Sequence, residues 1–164
     1  MNYTAPVEEI SFALKHIAKI NDFADVDGSQ FDPDLLDPIL EEAGKLVRDV
    51  IAPLNQTGDK FGAKLTKNGV QAAPGFAEAY NAFRDGGWMG LSAPEEWGGQ
   101  GLPKVLGLAV MEMLHGANMA FGLCPMLSFG AIEALLAHGT DTLKAKYLHK
   151  LVSAEWTGTM NLTE

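Results

Sequence analysis

The side chains that could do chemistry are scattered along this chain. Glu112 and Glu133 each stand alone in a strongly apolar stretch. A carboxylate withdrawn from water keeps its proton to higher pH and is a candidate general base. The simpler reading is that each marks a narrow solvent-facing stripe or pairs with a neighbour. His16, His115, His138 and His149 form no H-x-x-x-H or H-x-x-E pattern, so a metal site has little support. They read as helix-surface or helix-end residues, and His138, before Gly139, suits a helix C-terminus. Ser92, Ser128 and Ser153 lack the strand-turn-helix setting of a nucleophile. The single Cys124 can form neither an internal disulfide nor a thiolate metal site, which fits a reducing compartment. Met111, Met113, Met119 and Met126 read as filler for a core or an adaptable pocket.

One stretch could bind an anion. "RDGGWMGLSAPEEWGGQGLPK", Arg84 to Lys104, is rich in glycine. It holds Gly99-Gln100-Gly101, but Lys104 stands where G-x-G-x-x-G needs its last glycine, and no strand precedes it. Glu95 and Glu96 would repel a phosphate. The glycines are better explained by backbone angles and close packing. Trp88 and Trp97 then anchor the stretch on flanking helices as a structural connector.

Periodicity supplies the elements that must hold these residues. Ile10, Leu14 and Ile17 predict a helix over 6–20. Ile39, Leu40, Ala43, Leu46, Val47, Val50 and Ile51 predict a second, opened by Asp32-Pro33 or Asp37-Pro38 and ended or kinked at Pro53. Residues 55–73 read as loop. Pro74 can start a third helix, with Phe76, Tyr80 and Phe83 on one face and Gly86-Gly87 as its stop. A fourth is predicted over 104–118 and a fifth over 125–137. Both are so apolar that they should be buried on most sides. Thr140 can cap a last helix to Val152, with Leu143, Tyr147, Leu148 and Leu151 inward. "WTGTMNLT", Trp156 to Thr163, reads as the start of a strand. The expected fold is therefore all-α, an up-down bundle of five to six helices followed by a first strand with nothing yet to pair with. The expected division is 1–154 and 155–164.

Bulk properties narrow the partners. The 164 residues carry a formal net charge of −9, with pI about 4.8. Such a chain tracks a nucleic-acid backbone or an anionic bilayer poorly. The longest apolar run, Met119 to Ile132, is short of the ~20 residues that span a bilayer and is interrupted by Pro125. The N-terminus lacks the features of a secretory signal or transit peptide. A cytoplasmic location is expected.

The residues also resemble a family. "GGWMGLSAPEEWGGQGLP" looks like the acyl-CoA dehydrogenase pattern of Gly-Trp-x-Gly-Leu, Pro-Glu-Glu-aromatic-Gly-Gly and a further Gly. "HGTDTLKAKYLHKLVSAEWTGTMNLTE" resembles the same family's Gly, Lys-x-x-Tyr-Leu helix and strand ending in Thr-Glu. "IAPLNQTGDKFG" and "ANMAFGL" further resemble the branch acting on 3-methylthiopropionyl-CoA and related short or medium acyl-CoAs.

The resemblance implies an N-terminal helical domain, a middle β domain and a C-terminal helical bundle. It implies FAD as cofactor, an acyl-CoA thioester as substrate and a trans-2-enoyl-CoA as product. A Glu base takes the α-proton and the β-hydrogen leaves as hydride to the flavin. Electrons pass to an electron-transferring flavoprotein, and the full-length enzyme is a homo-oligomer. That base belongs to the C-terminal domain and has no counterpart here, so no catalytic residue is assigned and the domain alone should be inactive. Met160, Leu162 and Thr163 become the cofactor-contacting positions, with Thr163 bonding the flavin ring. Met126, Phe129 and Gly130 become the wall for the acyl tail. An acyl-CoA oxidase or other flavin enzyme of the same fold, and a free-standing helical interaction module, remain as alternatives.

Overall fold

A computed structural model describes residues 3–20, 22 and 31–159 of the chain. Helix α1, Val7–Phe12, runs on into a π turn, Ala13–Ile17, in which the Ala18 N–H reaches back five residues to the Ala13 carbonyl at 2.8 Å. A widened turn moves same-face residues from three or four apart to four. Ile10 and Leu14 therefore enter the core, and Ala18 packs against it. Ile17, which simple helical spacing turns inward, is instead 72% exposed.

The second helix opens as its sequence suggests. The Asp32 carboxylate accepts the Asp34 N–H at 3.0 Å, and a 3₁₀ turn, Pro33–Leu35, leads into α2, Leu36–Leu46. Its stripe is the centre of the core: Leu40, Ala43, Val47 and Ile51 are fully buried. Pro53 does not end it abruptly. A proline offers no N–H, and its ring collides with the carbonyl four residues back. A second π turn, Val47–Ile51, precedes it, with the Ala52 N–H on the Val47 carbonyl at 2.7 Å. The chain continues directly as α3, Leu54–Phe61. The region 55–73 is thus not plain loop. After α3 it forms a hairpin of β1, Lys64–Thr66, and β2, Gly69–Gln71, with Leu65 opposite Val70. Three-residue strands are too short to show alternation; the legible signal is Asn68-Gly69 at the turn, where Gly69 has φ 106°.

Helix α4, Phe76–Asp85, buries Ala79 and Phe83 and ends where Gly87 takes φ 71°. The connector that follows is folded on itself. The N–H groups of Gln100, Gly101 and Leu102 bond the carbonyls of Gly90, Ala93 and Leu91 at 2.8, 3.0 and 2.9 Å. Those donors are spent internally, and a Cβ on Gly99 would collide with the Ala93 carbonyl. Trp97 meets His149 edge-on, ring centres 5.2 Å apart, which ties the connector to the last helix.

Helices α5, Lys104–Ala117, and α6, Met119–His138, are joined by the single residue Asn118. Asn118 leaves the helical region (φ −160°) and accepts the Phe121 N–H at 3.1 Å. That cap starts α6 six residues earlier than Pro125, which sits inside the helix. The two helices run antiparallel, since Lys104 at the head of α5 meets Glu133 near the tail of α6 at 2.5 Å. As one helix, α6 has 20 residues with a mean hydropathy of 1.7, so by length and composition it could cross a membrane; in this fold it is a wall of the bundle. Its exposed side carries Met119, Leu123 and Met126, so the expectation of burial on most sides holds for α5 better than for α6.

Helix α7, Asp141–Val152, is capped by Thr140, whose hydroxyl accepts the Leu143 N–H at 3.3 Å. Leu148, Leu151 and Val152 are buried and Tyr147 packs at the edge, but Leu143 points outward, 42% exposed. Trp156 to Thr159 have no sheet partner among the described residues, and Met160 to Glu164 lie outside them. The architecture is all-α with one small hairpin.

The glycine contacts give a stability test. Replacing Gly99 with Ala should cost at least about 2 kcal/mol, because the new methyl must displace backbone. Gly130 lies in α6 with nothing within 4 Å of a built Cβ, so Gly130→Ala should stabilise by about 0.5–1 kcal/mol. Denaturant unfolding of both variants checks the pair.

Candidate functional site

The antiparallel α5–α6 pair leaves an open groove of about 870 Å³ along its outer face. Leu108 and Met111 of α5 and Met126 and Phe129 of α6 line its middle. One end carries the Lys104–Glu133 ion pair, the other His115 and Met119. The walls are mainly apolar, with charge at the ends, which suits a flexible apolar chain attached to something polar.

Met126 and Phe129 therefore stand together in this groove. Gly130, one residue on, is exposed with open space beside it, and the core does not require its lack of a side chain. Met160, Leu162 and Thr163 lie outside the described residues. The approach to them is defined. Ser128, fully buried on α6, donates to the Cys124 carbonyl at 3.1 Å and accepts the Gly158 N–H at 3.0 Å. A Cβ on Gly158 would stand 2.7 Å from the Ala131 Cβ, so only glycine lets the chain lie this close to α6. The Tyr80 hydroxyl donates to the Ala154 carbonyl at 3.0 Å, and the Trp156 N–H bonds the Lys150 carbonyl at 2.9 Å. The segment after α7 is thus drawn back against α6 at Leu127, Ser128 and Ala131.

The other titratable groups take modest roles. Glu133 is paired with Lys104, and Glu112 is exposed at the groove edge. His115 stands in the last turn of α5, as expected, and is half-buried. Its ring lies against Gly122, where any Cβ would collide with it, and its Nε2 is buried with no hydrogen-bond partner among the described residues. Cys124 borders a smaller apolar pocket with Phe76, Tyr80 and Phe121; partial burial raises its thiol pKa, so it stays protonated and weakly nucleophilic at neutral pH. Burial, then the Glu112 carboxylate, raises the Tyr3 hydroxyl. No group of three metal-ligating side chains forms among the described residues.

Comparison with known proteins gives a consistent picture. Residues 36–155 match the family described as Acyl-CoA dehydrogenase, N-terminal domain. The chain is 46% identical, over its full length, to the 3-methylmercaptopropionyl-CoA dehydrogenase of Ruegeria pomeroyi, covering 28% of that protein. It is 30% identical over 99% of its length to a butyryl-CoA dehydrogenase of Syntrophomonas wolfei, covering 27% of it. Across 46% of the chain it is 40% identical to the mitochondrial isovaleryl-CoA dehydrogenase of Oryza sativa, covering 19% of it. The chain thus spans little more than a quarter of the first two relatives.

Sequence reasoning did not assign Ser128 or Gly158 any positional role. A serine in an apolar helix and a glycine in a polar tail carry no joint signal until the fold brings them together, 30 residues apart. Ser128→Ala leaves the Gly158 N–H without its partner and should cost about 1–3 kcal/mol. Denaturant unfolding should show the loss, and hydrogen exchange should show faster exchange at the Gly158 amide. An unchanged Gly158 exchange rate would contradict the clamp.

Proposed function

Since this chain belongs to the acyl-CoA dehydrogenase family, we propose that it is the N-terminal helical domain of an FAD-dependent enzyme that converts an acyl-CoA to a trans-2-enoyl-CoA. The full-length 46% match to a 3-methylmercaptopropionyl-CoA dehydrogenase carries the reading. The groove supports it physically. Met111, Met119, Met126 and Phe129 present polarizable sulfur and an aromatic ring, surfaces that favour a short acyl chain containing a thioether. In this reading Met126, Phe129 and Gly130 face the acyl tail.

FAD would act as the two-electron acceptor. The described residues contain no complete flavin site, so their part is to deliver the chain. Ser128 and Gly158 fix the path of the segment that leads to Met160, Leu162 and Thr163, which are proposed as the flavin contacts. The acidic base is expected outside this domain, which alone should be inactive. An electron-transferring flavoprotein as acceptor, a homo-oligomeric enzyme and a cytoplasmic setting belong to the same proposal, on the strength of the family resemblance.

The test uses the protein made from its complete gene. Oxidation of 3-methylthiopropionyl-CoA and of short and medium acyl-CoAs should proceed with an artificial electron acceptor and only slowly with O₂. Peroxide formation at a comparable rate would sink the dehydrogenase reading. Phe129→Ala should raise KM roughly tenfold or more, the worth of a buried ring, with a smaller effect on kcat. Gly130→Ala should raise KM while making the fold more stable. If neither variant moves KM, the acyl tail lies elsewhere.

A further inference from the structure

We propose that the hairpin Lys64–Gln71 is a docking site for an acidic, extended segment of a partner protein. The observation is a combination of charge and exposure at one protrusion. From Lys60 to Pro74 the sequence holds Lys60, Lys64 and Lys67 and no Asp or Glu, in a chain with 21 acidic and 12 basic residues. The described ion pairs engage Lys15, Lys45, Arg48, Arg84, Lys104 and Lys150, and none of these three lysines. The hairpin is thus a local cationic site on an anionic protein.

Its apolar groups are equally distinctive. Leu65 and Val70 face each other across the strands and are 86% and 73% exposed. Phe61, 44% exposed, lies at the hairpin base under the Lys60 ammonium, 5.6 Å from its ring centre. All six strand residues are exposed. A two-stranded hairpin standing free in water is marginal, and each of its strands has an outer edge with no strand partner among the described residues. An added strand would bond that edge, cover Leu65 and Val70, and bring carboxylates to the lysines.

Charge complementarity and size select this occupant. A bilayer or a nucleic-acid duplex presents negative charge over an area wider than the hairpin. It would meet the anionic remainder of the domain as well. A single extended segment engages the hairpin alone, and screening over roughly 8 Å at physiological salt keeps the distant carboxylates out of the contact.

A fluorescent peptide of alternating glutamate and valine serves as probe, with the complete gene product as receptor and anisotropy as readout. Saturable binding that weakens as salt rises is expected. Lys64→Glu with Lys67→Glu should reduce affinity roughly tenfold or more. Leu65→Thr with Val70→Thr should weaken it severalfold while keeping strand propensity. Both double variants alter exposed positions and should keep the parent Tm, which separates lost docking from lost folding. Absence of saturable binding overturns the proposal. So does equal binding of a lysine–valine peptide, or tighter binding to phosphatidylserine vesicles or duplex DNA than to the acidic peptide.

Discussion

The fold-back at Asn118 is the constraint on which the rest of this domain depends. Two of its most apolar helices meet at this one residue, which must reverse the chain without leaving polar groups stranded. The Asn118 carboxamide does so by accepting the Phe121 N–H and donating to the Ile51 carbonyl at 3.4 Å, while itself 1% exposed. Each bond has a separate consequence. The first starts α6; the second ties the α5–α6 corner to the central helix α2 where its π turn ends. The antiparallel pair and the groove along it follow from that corner, and the Lys104–Glu133 ion pair merely closes the far end. That ion pair is exposed and contributes little to stability by itself.

The connector before α5 has a different physical basis. Its glycines divide by cause. Gly87, Gly98 and Gly101 take positive φ, which glycine adopts without strain, whereas Gly99 and Gly90 are needed for close approach. At Gly90 the neighbour is Val152, 3.2 Å from a built Cβ, so the connector is moulded onto α7. A stretch that looks from composition like a ligand cradle is instead a rigid brace. Because its tight packing fixes residue types at many positions, it carries the family's recognisable pattern although it performs no chemistry.

The outer face of α6 shows the reverse arrangement. Along α6 the buried residues Phe121, Gly122, Pro125, Ser128 and Ile132 hold the helix in place, and Met126, Phe129 and Gly130 beside them are left available. A glycine with no neighbour in an exposed helix costs stability, so its use at position 130 is understandable if something else occupies the space. The Ser128–Gly158 bond places the outgoing chain against Leu127, Ser128 and Ala131, the side of α6 turned away from Met126 and Gly130. One buried hydroxyl thus fixes where the outgoing chain crosses α6.

Much of this was legible in the sequence. The α2 stripe, the α4 stop at Gly86-Gly87, the Thr140 cap and the structural character of the connector all follow from local spacing and turn chemistry. The family emerged from the Gly, Trp and Pro pattern of the connector and the helix after Gly139. Other features required the tertiary structure. Ile17 is turned outward by a π turn whose five-residue hydrogen bond leaves no compositional trace. Proline normally breaks a helix, so α6 appears to begin at Pro125 until Asn118 is seen to cap it earlier. The His115 Nε2 is buried because Gly122, seven residues on, lies across from the ring only after the chain reverses. Local sequence determines which segments can form helices and where they must turn. Which glycine faces which side chain is decided by packing between segments distant in the chain, and that packing sets the groove, the clamp and the exposed hairpin.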